Sequence, residues 1–307
     1  MQGLLKLKRF FLEVRLLKAV QALCVVLVLS GCSSLQIAYN YAPNYLAYRL
    51  NGYFSLDDVQ KAALDQELQT FIAWHAETAL PDYTRTLETW QARVEVATPF
   101  TVTEVLAIQQ QVELALEVLG QRAASQLAGL LVTLSPKQQL RLKAEFESEN
   151  KDYFNDFLKN PNSEATRKNH HKRALKRYED WLGVLTKSQE KLITELSDRR
   201  SKIFAGWGDE RVLRQKALLD LLAQHRGKDP LQAEAALREY LASLKNYRES
   251  TLAAQQSPLR QDWAQATADV LNSLTPEQKI YLKKKLGGYA QDFVSLTPKR
   301  LAQDSQK

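Results

Sequence analysis

Residues 105–134 read VLAIQQQVELALEVLGQRAASQLAGLLVTL, and this stretch decides the class of fold. Its apolar side chains recur at gaps of three and four residues, a mean spacing close to the 3.6 residues of an α-helical turn. The positions are Val105, Ile108, Val112, Leu116, Leu119, Ala123, Leu127, Leu130 and Leu134. The spacing predicts one long helix with a single apolar stripe, and because its period is 3.6 rather than 3.5 it argues against a long left-handed coiled coil.

Proline placement extends the helical prediction along the chain. Seven of the nine prolines directly follow Ser, Thr, Asp or Asn. Proline suits the first helical position, where an N–H has no partner anyway, and the preceding residue caps the next N–H groups. The predicted helix starts are Thr98-Pro99, Ser135-Pro136, Asn160-Pro161, Asp229-Pro230, Ser257-Pro258, Thr275-Pro276 and Thr297-Pro298, with a simple turn as the alternative at Asn160-Pro161. No alternating β-branched run between hairpin turns occurs, so we predict an all-α fold, an elongated bundle of long amphipathic helices.

A five-residue motif recurs four times, as Leu56–Gln60 (LDDVQ), Leu134–Gln138 (LSPKQ), Leu185–Gln189 (LTKSQ) and Leu274–Gln278 (LTPEQ). It fits a capping box, in which a Ser, Thr or Asp side chain accepts from the N–H three residues on, while the glutamine reaches back to the N–H of the capping residue. The first and third glutamines lie 129 residues apart, and the second and fourth 140 apart. This spacing favours two similar halves, 53–160 and 163–296.

Residues 1–31 are predicted to be a secretory signal peptide. A basic start precedes an apolar stretch, Ala19 to Leu29, that is shorter than the ~20 residues of a membrane-spanning helix. The sequence Leu29-Ser30-Gly31-Cys32 that follows resembles the bacterial lipobox. The resemblance implies cleavage after Gly31, attachment of a diacylglycerol to Cys32 and acylation of the new amino group. The alternative is an ordinary transmembrane anchor with a chance cysteine.

The residues around the predicted cleavage point also bear on localisation. Ser33 and Ser34 follow Cys32, with no Asp at the second mature position. By resemblance to Gram-negative sorting rules, this favours the outer membrane, with the chain facing the periplasm. Cys24 would leave with the signal and Cys32 would be blocked, so the mature chain would have no thiol for a disulfide. Loss of the signal also reduces the net charge from +7 to +3, which gives no argument for nucleic acid as a partner.

Short motifs are spread over nearly the whole mature chain. They are Tyr39-Asn40, Tyr53-Phe54-Ser55-Leu56-Asp57 with Gln60, Trp74-His75, Leu80-Pro81-Asp82-Tyr83, Leu134 to Gln138, Trp181-Leu182-Gly183 with Gln189, and Thr275-Pro276-Glu277-Gln278 with Leu286-Gly287-Gly288-Tyr289. Together they resemble an uncharacterised family of proteobacterial lipoproteins, defined only by a domain of unknown function, which implies no activity. The repeated Leu-Thr-x-x-Gln also resembles small helical periplasmic stress proteins of the Spy and CpxP kind, which implies a chaperone-like function by analogy.

The residue pattern favours a protein that is not an enzyme and holds no cofactor or metal. The sequence contains no Gly-x-Ser-x-Gly and no glycine-rich phosphate loop. The histidines are His75, His170, His171 and His225. They form no His-Glu-x-x-His pattern, and the two consecutive ones would point about 100° apart on a helix. The alternative is an envelope hydrolase of peptidoglycan or lipid, in which acids such as Glu145, Glu147 and Glu149 meet a second carboxylate in space.

The densest cationic run comprises Arg167, Lys168, Lys172, Arg173, Lys176 and Arg177. On a helix, its three lysines fall at i, i+4 and i+8 with the last two arginines beside them. One interpretation is a patch for anionic lipid headgroups or an acidic partner. The other is a solvated helix face.

Residues 32–52 are predicted to be a lipidated, tyrosine-rich tether, and residues 297–307 a C-terminal tail. The tyrosines at and just beyond the tether are Tyr39, Tyr41, Tyr45, Tyr48 and Tyr53. Tyrosine favours a membrane–water interface, but these residues also have the spacing to pack back on the helical body. We therefore predict a membrane-anchored periplasmic lipoprotein that acts as a non-enzymatic interaction or chaperone-like protein, with an envelope protein or anionic lipid headgroups as its partner.

Overall fold

The computed structural model describes residues 34–160 and 163–298, and in these two ranges every regular element is helical. The all-α prediction is confirmed. The residues divide into two units between Ala42 and Pro43. The first unit contains α1 (Ser34–Asn40).

The second unit is a body of long helices joined by short loops. They are α2 (Ala42–Phe54), α3 (Asp58–Trp74), α4 (Leu80–Glu95), α5 (Val102–Val132), α6 (Pro136–Tyr153), α7 (Glu164–Leu182), α8 (Lys187–Ser201), α9 (Phe204–His225), α10 (Pro230–Ser243), α11 (Ser250–Asn272) and α12 (Pro276–Leu296). A π-helical segment, His75–Ala79, joins α3 to α4, and a second, Phe154–Leu158, extends α6. α4 packs along α12 and α5 along α10, so helices from both predicted halves pack on each other. The duplication itself stays a prediction.

All four repeated motifs form capping boxes, as predicted. Their leucines are buried: Leu56 and Leu134 belong to one hydrophobic cluster, and Leu185 and Leu274 to another. A fifth box that we did not predict, Thr101 with Glu104, starts α5. Each motif therefore fixes a helix start and also contributes a leucine to the core.

The four motif glutamines are joined in two reciprocal amide pairs. Gln189 Nε2 donates to Gln278 Oε1 at 2.9 Å, and Gln278 Nε2 donates to Gln189 Oε1 at 2.8 Å. Gln60 and Gln138 exchange the same two hydrogen bonds, at 3.3 and 2.6 Å. Because each Oε1 also accepts the N–H of its own capping residue, neither amide can rotate without breaking its capping box. We call each arrangement a glutamine clasp.

Two of the predicted proline starts are wrong. α5 begins after Thr101 rather than at Pro99, because the Thr101–Glu104 box supplies a stronger start. Pro258 lies inside α11, which begins at Ser250 with the Glu249 carboxylate accepting the first free N–H groups. Thr297 is the residue at which α12 ends, and the helix predicted to start at Pro298 would lie outside the described residues. Of the other pairs, those at Pro136, Pro230 and Pro276 do start helices, and Pro161 lies outside the described residues.

The long helix predicted from residues 105–134 is confirmed as α5, but its apolar stripe is not continuous in the core. Val105, Leu130 and Leu134 are buried, whereas Val112 and Leu116 in the middle are 46% and 61% exposed. The stripe therefore packs at the two ends of the helix and opens to solvent between them.

Candidate functional site: an arginine-lined cavity

The predicted signal peptide, the cleavage site at Gly31 and the lipid attachment site at Cys32 lie outside the described residues. Among helices within 34–160 and 163–298, none combines the length and apolar character needed to cross a membrane. On α2, Tyr45 and Tyr48 are 61% and 74% exposed, so they do not pack on the helical body. Tyr53 does pack there, with its ring near Phe146 and its hydroxyl donating to Glu149.

The histidines occupy unrelated positions. His75 lies half-buried in the first π-helical segment against Phe71 and Tyr83, and burial lowers its pKa. His171 Nε2 lies 2.6 Å from an oxygen of Asp198. His225, near the end of α9, has a buried Nδ1 with no hydrogen-bond partner in the described chain. Within residues 34–160 and 163–298, no three His, Cys, Asp or Glu side chains come together as a metal-binding group.

All six residues of the predicted cationic patch lie on α7, but several are paired with acids. Lys168 pairs with Glu164 at 2.7 Å, and Lys176 with Asp180 at 2.8 Å. Arg167 and Lys172 are exposed. The remaining two, Arg173 and Arg177, are exposed as well, but they also line a cavity in the helical body, on its solvent-facing side. All six cations are therefore solvent-exposed, and two of them also contribute to the cavity.

The cavity has a volume of about 1080 Å³, is bounded by α4, α5, α7, α8, α9, α11 and α12 with the end of α6, and is open to solvent on one side. Its wall is mainly apolar and aromatic. Four of the five tryptophans of the chain line it, namely Trp90, Trp181, Trp207 and Trp263. Pockets for drug-sized ligands measure roughly 300–1,000 Å³, so this space is large enough for a ligand with a substantial apolar part.

Arginines provide nearly all the charge in this wall. The six are Arg93, Arg173, Arg177, Arg200, Arg211 and Arg214, and they come from α4, α7, α8 and α9. Glu210 provides the one carboxylate among the described lining residues. No lysine is found among them, although the chain contains 23 lysines and 19 arginines. Arginine has a planar fork of donors that binds carboxylate or phosphate oxygens in pairs and stacks on aromatic rings. The wall therefore combines apolar surface with anion-binding groups.

Four of the six arginines have a carboxylate partner. The pairs are Arg93–Glu104 (2.7 Å), Arg173–Asp156 (3.3 Å), Arg211–Glu149 (3.5 Å) and Arg214–Glu210. All four of these guanidinium groups also lie over aromatic rings, those of Phe100, Phe157, Tyr153 and Tyr247. Arg177 and Arg200 have no carboxylate of the described chain within ion-pair distance. The cavity wall is therefore positive, and two of its arginines, the half-buried Arg200 and the exposed Arg177, have no carboxylate partner among the described residues.

Glu210 acts as a structural link at the cavity wall. It is 1% exposed, and one of its oxygens accepts the backbone N–H groups of Arg248 and Glu249, both at 2.7 Å. The other oxygen accepts from Arg214 Nε. Glu210 thereby ties α9 to the start of α11 and fixes Arg214, whose Nη2 is buried without a partner among the described residues.

His170 completes one side of the cavity. It is 6% exposed, stacks on Phe157 at 5.5 Å between ring centres, and meets the edge of Phe204 at 4.7 Å. Burial lowers the pKa of His170, and the charge of Arg173 lowers it further, so both favour the neutral form of the ring. Phe157 belongs to the second π-helical segment, a kind of irregularity frequent at functional sites.

The sequence did not predict this cavity. The available signal was local: α7, α8 and α9, which are consecutive, carry the arginines at 173, 177, 200, 211 and 214 and the tryptophans at 181 and 207. Arg93 and Trp90, however, come from a helix about 80 residues earlier. A helix with alternating arginines and aromatic residues is also common on ordinary surfaces, so only the packing identifies these residues as a site.

Comparison with known proteins places the chain in a family. The model of a family of unknown function, DUF6279, matches residues 52–248. The chain belongs to this family. No curated protein and no solved structure matched the chain.

The DUF6279 match has a direct bearing on the cavity. It covers all six cavity arginines and Glu210, whereas the wall contributed by α11 and α12 lies beyond it. The charged part of the site therefore belongs to the family domain. Part of the apolar wall comes from the following segment.

Proposed function

We propose that this DUF6279 protein is a lipid-anchored protein of the bacterial envelope that binds an amphipathic anion in its central cavity, without catalysis. The observation that carries the proposal is a large aromatic cavity lined by six arginines and one carboxylate. The lipobox at Cys32 supports a location at the outer membrane, facing the periplasm.

The chemistry of the wall favours an amphiphile over a small polar metabolite. Apolar area contributes roughly 25 cal/mol per Å² removed from water, so a hydrocarbon chain placed against the tryptophans gains affinity from burial alone. The arginines act on the other part of the ligand, because guanidinium groups in a partly desolvated site attract an anion more strongly than they do in water. A ligand with only one of these two parts would leave half of the wall without a partner.

The carboxylates favour binding over hydrolysis. A paired-acid hydrolase needs two carboxyl groups facing the scissile bond, one of which is free to transfer a proton. Glu210 is the acid among the described lining residues, and both of its oxygens already accept hydrogen bonds from the protein. Glu149, one of the acids considered in the sequence, pairs with Arg211 and accepts from the Tyr53 hydroxyl.

Bromine quenching of tryptophan fluorescence tests the proposal. Because four of the five tryptophans line the cavity, a fatty acid with a dibrominated chain is expected to quench most of the fluorescence in a saturable way. The unbrominated fatty acid should compete without quenching. Absence of saturable quenching at concentrations below micelle formation would contradict the proposal.

Two single-tryptophan substitutions provide the matched controls. Trp263→Phe removes a tryptophan of the wall, so it should reduce the fraction of the fluorescence that can be quenched. Trp74→Phe removes the one tryptophan outside the wall and should increase that fraction. Equal effects of the two substitutions would place the bound chain elsewhere.

A further inference from the structure

We infer that the anionic end of the ligand is a phosphomonoester and that Arg177 and Arg200 hold it. This inference rests on the proposed function. It names the headgroup that the cavity prefers and the two residues that select it.

The polar side chains around Arg200 provide a place for the headgroup. Ser197 and Arg200 are three residues apart on one side of α8 and both line the cavity, where Ser197 is 8% exposed. Tyr178 of α7 and Thr267 of α11 also line it, with their hydroxyl oxygens 3.2 Å apart. Burial raises the pKa of Tyr178, whereas its hydrogen bond with Thr267 and the charge of Arg200 lower it. A guanidinium group and hydroxyl donors thus occur together in a wall that is otherwise mainly apolar.

Charge compensation favours a phosphomonoester over a carboxylate. The arginines other than Arg177 and Arg200 already face carboxylates of the protein, which leaves two positive charges. A phosphomonoester carries a charge of about −1.5 to −2 at pH 7 and three acceptor oxygens. A fatty carboxylate carries one charge and two oxygens, so it would compensate only half of the excess. Arginine forks bind phosphate oxygens in pairs, which adds geometric preference to the charge.

The test compares dibrominated acyl chains that differ only in the headgroup. The probes are lysophosphatidic acid (phosphomonoester), the free fatty acid, lysophosphatidylcholine (zwitterionic) and monoacylglycerol (neutral). The full chain is kept in a constant amount of an uncharged detergent, and tryptophan quenching gives an apparent affinity for each probe. Lysophosphatidic acid is expected to bind about 10-fold more tightly than the fatty acid. Its affinity should exceed that of monoacylglycerol by a larger factor.

Arginine variants with neighbouring controls test the residue assignment. Arg177→Gln and Arg200→Gln should each reduce the preference for lysophosphatidic acid over monoacylglycerol by about tenfold, the effect of losing one charge-assisted interaction. The controls remove the same charge from adjacent positions outside the wall, as Lys176→Gln and Arg199→Gln, and should leave the preference unchanged. Arg199 pairs with Asp262 and does not line the cavity. Urea unfolding of each variant shows whether it folds with native stability.

The outcomes separate this inference from the proposed function. Two outcomes would overturn the headgroup assignment and leave amphiphile binding intact. One is quenching of similar strength by all four probes, and the other is a preference for lysophosphatidic acid that persists in folded Arg177→Gln and Arg200→Gln variants. No saturable quenching by any probe overturns both. Inorganic phosphate and pyrophosphate are added as competitors to separate free phosphate from a lipid headgroup. Displacement of the lysophosphatidic acid probe by millimolar inorganic phosphate would show that the site takes the free anion, which would overturn a lipid as its ligand.

Discussion

Gln278→Glu is the sharpest test of the glutamine clasp. The substitution changes an amide into a carboxylate of the same shape and keeps the oxygen that accepts the Thr275 N–H, so the capping box survives. It removes the two N–H donors that reach the Val184 carbonyl at 2.7 Å and Gln189 Oε1 at 2.8 Å. A negatively charged oxygen then faces two acceptors in the core.

The expected loss of stability follows from these contacts. Gln278 is 3% exposed and Gln189 is 0% exposed, so water cannot replace the lost donors. The Val184 carbonyl loses its donor, which costs about 1–3 kcal/mol, whereas Gln189 Oε1 keeps the Thr186 N–H but now faces a buried negative charge, which adds to the cost. We expect Gln278→Glu to lower the free energy of unfolding by about 3–5 kcal/mol at pH 7, the cost typical of an unpaired buried charge. A whole domain has only about 5–15 kcal/mol, so the loss is large.

The pH dependence distinguishes lost donors from general disruption of the core. Burial and the two facing oxygens raise the pKa of the introduced carboxyl above its ordinary value near 4.3. Its protonated form donates one hydrogen bond, so the stability it provides is fully present below about pH 4.3 and is lost as pH rises through the raised pKa. Urea unfolding followed by circular dichroism, at pH 7 and about pH 4, should show the difference from wild type shrinking at the lower pH.

Ile280→Glu is the matched control, because it adds a carboxylate to the same helix turn at a side chain that is 68% exposed. It should change stability by less than about 0.5 kcal/mol at either pH. A Gln278→Glu chain as stable as wild type at pH 7, or equally destabilised at both pH values, would refute the clasp as a stabilising element.

Three further predictions concern other parts of the chain. Gly288→Ala should stabilise the protein by about 1 kcal/mol through helix propensity, since a Cβ at this position meets nothing within 4 Å. Gly287→Ala should stabilise it much less, because its Cβ would lie 2.6 Å from Gln91 Nε2, and thermal unfolding of the two variants measures the difference. Hydrogen bonds from Arg93 are the main cause that lowers the pKa of Glu104 to about 2. The stability that Glu104 provides is therefore present above about pH 4.5 and is lost as pH falls towards 2, so Glu104→Gln should reduce the pH dependence of the free energy of unfolding in this window. Cys32→Ser should abolish incorporation of a palmitate analogue and leave an unprocessed precursor. If the variant were still labelled, another residue would carry the lipid and the assignment of Cys32 would be wrong.

Local features of the fold were predictable from the sequence because their causes lie within a few residues. The period of α5 and the four capping boxes depend on side chains three or four positions apart. The proline errors have the same origin. At Pro99 a competing box two residues later determines where α5 begins, and at Pro258 the loss of one N–H is too small to start a new helix inside α11.

The cavity was not predictable in the same way, because its causes lie between helices. A cationic run such as Arg173 with Arg177 has the same local sequence whether it faces solvent or an internal space. The two cases differ in whether side chains of other helices, such as Phe157 or Trp263, pack beside the arginines. The sequence does not show how those helices are placed relative to one another. The same limit explains why glutamines were recognised as caps but not as partners of each other across 78 and 89 residues.

The second clasp and the cavity are parts of one arrangement. Gln189 and Gln278 join the first turns of α8 and α12, and the next turns of those helices form cavity wall, with Ile193, Ser197 and Arg200 on α8 and Leu282 on α12. Because a helix turns by 100° per residue, a first turn that is fixed against its neighbour also fixes the direction in which Arg200 points, about three turns later. A capping residue alone would start the helix but leave it free to rotate about its axis. The reciprocal amide pair removes that freedom, so the repeated motif that starts the helices also orients the anion-binding side of the cavity.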